Sequence, residues 1–165
     1  MAALLTKDKV LELAFTRNSV DVKRIPDKLI ESIQYKHLVD ILGEDFYDEI
    51  IDNKTSYSTL ISYIEPYLAY LIKYYILPDI WIEISATGIN KISGNNRITS
   101  NKEEYLELRQ SSIDLANMHL DLLNKHLKDN GEDYSLYESG ENKSIDINIK
   151  GGIIFENIIN ENEED

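Results

Sequence analysis

The feature that most restricts the fold is a long apolar stretch in the middle of the chain, residues 63–81, which reads YIEPYLAYLIKYYILPDIW. A membrane span needs about 20 mostly apolar residues, but Glu65, Lys73 and Asp79 interrupt this stretch and a proline stands near each end. A helix that is hydrophobic on all sides otherwise lies in a protein core, where neighbouring elements cover it. The stretch therefore predicts a central core helix over residues 58–78.

This helix is rich in tyrosine, a residue that pairs an apolar ring with a hydroxyl group that needs a hydrogen-bond partner. A chain of 165 residues covers such a helix only in part. Two interpretations stay open: the helix is the tyrosine-rich core of a monomer, or another subunit closes part of its surface. For the second interpretation, the candidate interface residues on this helix and just after it are Tyr67, Tyr70, Tyr74 and Trp81.

The segments before the central helix also have helical patterns. Thr6 is expected to cap a short helix over residues 7–14. Pro26 is expected to open an amphipathic helix that Gly43 ends, because proline suits a first helical turn and glycine suits a helix C-terminus. The acids that follow Gly43 start a further short helix, residues 44–52, since negative charge is favourable at a helix N-terminus.

The pattern changes twice after the central helix. Residues 81–84 either finish that helix or begin a strand, and a small hairpin or loop is expected near residues 85–98. Ser100 followed by Glu103 is a capping box, which opens the longest helix, residues 101–128. The predicted fold class is therefore mainly α, a small helical bundle with a long C-terminal helix.

The long helix carries a seven-residue repeat, with steps of three and four that place its members on one face. The repeat consists of Tyr105, Leu108, Ser112, Leu115, His119, Leu122 and His126, and beside it run Leu106, Ile113, Leu120 and Leu127. This apolar stripe is wider than a coiled-coil seam, so it favours packing within a bundle over a simple dimer zipper.

The chain changes character after Gly131. We expect a helical domain over residues 1–130 and a C-terminal arm over residues 131–165, with strand-like sequence at residues 144–159 and an acidic end. Apolar and polar residues alternate in the strand-like part, as in a strand with one buried face. We expect this extended, β-like arm to add a strand to a partner, although a disordered tail is the alternative. Its candidate interface residues are Ile145, Ile147 and Ile149.

Charge and composition exclude several functions. The chain has 17 lysines and arginines against 30 acids, a net charge of -13, which argues against nucleic-acid binding because phosphate contacts need clustered cations. His119 and His126 lie seven residues apart on one helix, about 10 Å, which is too far to share one metal ion. A satisfied histidine in an interface or in the core is therefore the better interpretation of each, and we treat both as candidate interface residues. The sequence has no cysteine and no recognised catalytic or phosphate-binding motif, so no catalytic residue, metal or cofactor is expected.

Three stretches together carry a resemblance to a known class of protein: LGEDFYDEI after an amphipathic helix, then YIEPYLAYLIKYYILPDIWIEISATGI, then a capped long helix. In this order they resemble the head-to-tail adaptor, or connector, proteins of tailed bacteriophages, and most closely the neck ring proteins of crAss-like phages. The resemblance covers residues 6–130. The C-terminal arm departs from a minimal adaptor.

The resemblance implies a structural virion protein at the portal vertex, present in the host cytoplasm during assembly. Such proteins form a ring, a dodecamer that matches the portal protein, and they offer a platform to tail or stopper ring proteins. DNA would pass through without specific binding, because an acidic wall repels phosphate. Two other classes stay open: a small acidic helical binding module or regulator, and a small helical enzyme, for which no convergent polar site is found.

Overall fold

Five α-helices and two antiparallel hairpins make up the part of the chain that the computed structural model describes. That part comprises residues 3–16, 20–87, 90–93, 96–99, 102–134, 136–137, 147–150 and 153–156. After residue 80, side chains are described for residues 103–134, 136 and 137, and the backbone alone elsewhere. The helices are α1 (Lys7–Ala14), α2 (Asp27–Leu42), α3 (Glu44–Asp52), α4 (Ser58–Thr87) and α5 (Lys102–Asn130). The strands are β1 (Asn90–Ser93), β2 (Asn96–Thr99), β3 (Ile147–Lys150) and β4 (Ile153–Glu156). Short 3-10 turns cover Val22–Arg24 and Gly131–Asp133. The predicted class, mainly α with a long C-terminal helix, is confirmed.

The helix ends follow local signals. Thr6 precedes α1, and its Oγ1 accepts a hydrogen bond from the backbone N–H of Lys9 at 3.3 Å, as the cap prediction requires. Pro26 takes the N-cap position of α2, so the helix begins one residue later, at Asp27. Gly43 ends α2 and precedes α3 at once, with φ of +82° and ψ of 156°.

Helix α4 continues past its predicted end at Pro78 and reaches Thr87. A proline inside a helix removes a hydrogen bond and crowds the preceding turn, which is why an end was expected there. Burial holds the helix together across this site, since Leu77 and Ile80 on either side of the proline are both buried. No helix in the described ranges has the length and apolarity to cross a membrane.

Three consecutive residues of α4 identify its neighbours. The ring of Tyr74 faces α5, where the guanidinium carbon of Arg109 lies 4.3 Å from the ring centroid. The Nζ of Lys73 lies 5.3 Å from the ring of Phe15, directly after α1, and the Tyr75 hydroxyl lies 3.3 Å from Nε2 of His37 in α2. Successive helix residues point about 100° apart. Helix α5 therefore covers one side of α4, and α1 and α2 cover the other sides.

The buried side of α5 coincides only in part with the predicted apolar stripe. A single core cluster joins α1–α5, and α5 enters it through Ile113, Ala116, Leu120, Leu123 and Leu127. The row of leucines in the predicted repeat lies off this seam: Leu108 is 41% exposed and Leu122 is 46% exposed. The prediction that this repeat faces the bundle is therefore wrong for the leucines of the repeat, although Ile113, Leu120 and Leu127 beside it are core residues.

Both hairpins are formed by neighbouring strands. β1 and β2 pair with Asn90 opposite Thr99 and Ser93 opposite Asn96, so the small hairpin or loop expected near residues 85–98 is a hairpin, which begins after the end of α4 at Thr87. β3 pairs with β4, with Ile147 opposite Glu156, so the strand-like region forms a ladder within its own chain. Ser100, the predicted cap of α5, lies outside the described residues.

The segment after α5 packs back onto the bundle. The rings of Tyr134 and Tyr137 lie 5.6 Å and 6.0 Å from the ring of Phe46 in α3, measured between centroids. Tyr134 also lies 6.1 Å from the ring of Tyr57. The packed unit thus extends beyond the predicted domain boundary at residue 130, as far as Tyr137.

Candidate interaction surface

Two histidine–tyrosine stacks join α4 to α5. The ring of His126 stacks on Tyr63 with centroids 4.4 Å apart, and the ring of His119 stacks on Tyr70 with centroids 5.5 Å apart. The two histidines are seven residues apart and so are the two tyrosines, so the stacks repeat along the seam every two helical turns. Both predicted interface histidines therefore make contacts within their own chain.

His126 also contacts residues at and just beyond the C-terminal end of α5. Its Nε2 lies 2.8 Å from the hydroxyl of Tyr134, and the amide nitrogen of Asn130 lies 3.2 Å from its Nδ1. The same amide nitrogen donates to the His126 carbonyl at 2.9 Å. This network connects the last turn of α5 to the segment that folds back over α3.

The second stack is half-buried, as the first one is. The pKa of His119 is lowered from its ordinary value because partial burial disfavours the imidazolium form. Its partner Tyr70 is half-buried. Neither residue is withdrawn from the surface, so both remain available to a partner.

Two of the predicted interface tyrosines lie in the core of the single chain. Tyr67 is 2% exposed and Tyr74 is 1% exposed. Burial raises the pKa of both hydroxyls, and for Tyr74 the nearby Arg109 charge opposes that rise. For these two rings the interpretation as a tyrosine-rich core within one chain is therefore the right one, and their assignment as interface residues is wrong, because α5 and the other helices already cover them.

The remaining predicted interface residues have no described side chains. Trp81 belongs to α4, which settles that residues 81–84 finish the helix. Ile147 and Ile149 belong to β3, where Ile149 pairs with Ile154 of β4. Ile145 lies outside the described residues.

The described residues offer no obvious centre for chemistry. Within those residues, no group of three or more histidine, aspartate or glutamate side chains is placed to hold a metal ion. His37 is buried beside Tyr75, and the buried amide of Gln34 bridges the N–H of Leu4 and the hydroxyl of Tyr47. These polar contacts hold the N-terminal segment and α2 in place.

The outer side of α5 carries a surface that the sequence analysis missed. Three acid–leucine pairs recur every seven residues: Glu107–Leu108, Asp114–Leu115 and Asp121–Leu122. The three acids are exposed, Leu115 is half-buried, and Met118 beside them is 47% exposed. We call these seven residues the acidic leucine face. The signal available in the sequence was the acid directly before each leucine. A leucine row that faces the core has its polar residues on the opposite side of the helix, whereas these acids lie beside the row.

This face is shallowly concave. An open groove of about 540 Å³ is lined by Glu107, Gln110, Ser111, Asp114, Leu115 and Met118. Exposed apolar side chains in a row, bordered by charge, are typical of protein–protein contacts rather than of small-molecule sites. The arrangement can bind a surface that combines apolar and basic groups.

Comparison with known proteins adds one finding. The chain matches the model of DUF6712, a family of unknown function, over residues 29–147, which reaches from the first turn of α2 to β3. No curated protein and no solved structure matches the chain. Because the match spans well over half of the 165 residues and includes the seam between α4 and α5, the chain belongs to the DUF6712 family.

Proposed function

We propose that this protein is a structural component of a phage virion, a ring at the portal vertex that joins the capsid portal to the tail. The single observation that carries the proposal is the acidic leucine face, an unoccupied surface along one side of a helix that already packs firmly through its other side. Such a surface suits permanent assembly, since apolar rows bordered by charge are typical of contacts between proteins. The resemblance of residues 6–130 to phage adaptors supplies the setting.

Charge supports the same assignment. A net charge of -13 suits the wall of a channel through which DNA passes, because like charges keep phosphate from binding. In this proposal the ring is a dodecamer in register with the portal, its other face receives tail or stopper proteins, and the protein has no enzymatic activity and no cofactor.

The test is the composition and density of virions. If the phage or prophage that encodes this chain is grown and purified, mass spectrometry should detect the chain, and density of the neck should contain α4 and α5 in ring symmetry. Density for this chain only in fibres, or its absence from purified particles, would contradict the proposal.

A second candidate is a small acidic binding module or regulator that is not part of a virion. The same acidic leucine face favours it, because a single helix face can serve one basic helical partner. The two functions differ in stoichiometry. A module forms one-to-one complexes of defined mass, whereas an adaptor mixed with its portal forms a ring with one copy per portal subunit, which native mass spectrometry distinguishes.

A further inference from the structure

The end of α5 carries the one asparagine–glycine pair in the sequence, Asn130-Gly131. Such a pair is prone to deamidation, because glycine has no side chain to hinder its own backbone nitrogen. That nitrogen attacks the side-chain carbonyl carbon of the asparagine, an N–Cγ bond forms, the Cγ–Nδ2 bond breaks, and ammonia leaves with the proton of the glycine N–H. Water then opens the cyclic imide at one of its two carbonyl carbons, which leaves aspartate or isoaspartate at position 130.

The backbone of the folded chain is in the wrong conformation for this reaction. Asn130 is half-buried, with φ of -127° and ψ of 18°. At this ψ the nitrogen of Gly131 lies close to eclipsing the backbone nitrogen of Asn130, so it is turned away from the side chain that it has to attack. The Cα–C bond of Asn130 must rotate before the ring can close, and this rotation displaces the 3-10 turn that begins at Gly131.

His126 holds the side chain of Asn130 in place as well. The amide nitrogen, which is the leaving group, donates to the His126 carbonyl at 2.9 Å and lies 3.2 Å from Nδ1 of the ring. The ring is in turn stacked on Tyr63, with centroids 4.4 Å apart, and its Nε2 lies 2.8 Å from the hydroxyl of Tyr134. The amide is therefore directed back along α5, away from Gly131, as long as these contacts last.

We propose that Asn130 is a deamidation site that residues 131–137 keep closed while this segment is docked on α3. The segment docks through Tyr134 and Tyr137, whose rings lie 5.6 Å and 6.0 Å from the ring of Phe46. When the segment leaves α3, the contact of Tyr134 with the histidine ring is lost and the last turn of α5 becomes a free helix end. Such ends open at a free energy far below that of global unfolding. Deamidation then proceeds from this locally open form of the chain.

The products do not fit the docked state. An aspartate at position 130 has no N–H to donate to the His126 carbonyl, and its carboxylate oxygen would face that carbonyl oxygen instead. Isoaspartate adds a methylene group to the main chain between α5 and Tyr134, which changes the spacing of the segment. Each product turns a transient opening into a lasting one and frees the chain beyond residue 130 from α3. This chemistry requires neither a ring nor a portal.

Peptide mass spectrometry of the full chain, incubated in mildly alkaline buffer, measures the conversion at position 130. Tyr134→Ala removes a ring that docks the segment, so it should accelerate the conversion severalfold. Leu136→Ala is the matched control, because Leu136 belongs to the same segment but is 45% exposed, and its rate should equal that of the natural chain. Gly131→Ala, which hinders the attacking nitrogen, should slow the conversion severalfold. The natural chain in urea gives the rate of the fully open site.

The comparison with a core variant separates local opening from global unfolding. Leu123→Ala weakens the whole core, so it would accelerate the conversion more than Tyr134→Ala if the whole chain had to unfold, whereas docking of the segment predicts the reverse order. The order that global unfolding predicts, equal rates in buffer and in urea, or no conversion in urea would overturn the proposal. Hydrogen exchange of Asn130→Asp tests the release, since the amides of residues 132–137 should exchange severalfold faster than in the natural chain. Unchanged protection of these amides would show that the product stays docked.

Discussion

Single residues decide how the N-terminal helices join. Gly43 links α2 to α3 with no intervening loop, and its φ of +82° with ψ of 156° lies in a region used almost only by glycine. An added Cβ would meet no atom within 4 Å, so space is not the constraint. The cost of a side chain there would come from backbone strain alone.

We expect Gly43→Ala to lower the free energy of unfolding by about 1–3 kcal/mol, the usual cost of a residue held in such a backbone conformation. Gly131→Ala is the matched control, because the added Cβ would make only an ordinary contact, 3.6 Å from Tyr137. The free energy of unfolding of this variant should fall by only about 0.5 kcal/mol. Urea denaturation of both variants measures the difference. Equal losses of unfolding free energy in the two variants would show that an alanine at position 43 is not strained.

The stack of His119 on Tyr70 predicts a pH dependence. The folded-state pKa of His119 is lowered by burial, so the unfolded chain takes up a proton more readily than the folded one. The stability that depends on neutral His119 is therefore complete above the unfolded pKa, near 6.5, and is lost as the pH falls through the lower folded pKa.

His119→Phe keeps a ring against Tyr70 but cannot titrate. Thermal unfolding of the variant and the natural chain should nearly coincide at pH 7.5, and the variant should gain relative stability as the pH falls to 5. Parallel curves across this range would rule out a contribution from His119 titration.

At the scale of elements, α5 separates its two apolar rows. One row enters the core against α4, and the other runs along the acidic leucine face. Adjacent residues show the contrast, since Leu123 is 0% exposed and Leu122 is 46% exposed. The same side-chain type is therefore a core residue at one position and a surface residue at the next.

We expect Leu123→Ala to cost about 2–5 kcal/mol of unfolding free energy, because it leaves a cavity in the core. Leu122→Ala should cost less than about 0.5 kcal/mol in the free protein, as at other exposed sites. Chemical denaturation of the two variants is the measurement. If Leu122→Ala proves the more harmful, the orientation of α5 is wrong.

At the scale of the whole molecule, the bundle is closed by residues after its last helix. Tyr134 and Tyr137 pack on Phe46, and Tyr134 contacts His126, so the C-terminal end of α5 is joined to α3. The hairpin of β3 and β4 follows further along the chain. A two-stranded hairpin is marginal in water, but its outer strand edges can still accept a strand from another protein.

Truncation locates the end of the packed unit. A chain that ends at Tyr137 should keep the stability of the full chain, whereas one that ends at Asp133 loses both rings and should lose about 1–3 kcal/mol, given the usual value of aromatic contacts. Thermal unfolding of the two truncated chains decides this. Equal stability would place the boundary at residue 130, as the sequence suggested.

The hairpin is expected to act as an assembly arm. Hydrogen exchange should show weak protection of the amides of β3 and β4 in the free protein and strong protection in the assembled neck, because added strand pairing covers them. Equal exchange in both states would identify this region as a tail without a role in assembly.

Local chemistry was sufficient for the features that depend on neighbouring residues in the chain. The cap at Thr6, the turn at Gly43 and the β1–β2 hairpin each depend on a few adjacent residues, and each was predictable from the sequence. So was the central position of α4, because a helix that is apolar on all sides has to be covered. Nothing in these features depends on which elements are neighbours.

Only the tertiary structure decided the rest. The orientation of α5 depends on which of two apolar rows fits the surface of α4, and residues distant in sequence set that fit through the stacks of Tyr63 and Tyr70. The continuation of α4 past Pro78 likewise depends on the burial that neighbouring helices provide. The acidic leucine face appears once the other row is buried, because a leucine row looks the same in sequence whether a core or a partner covers it.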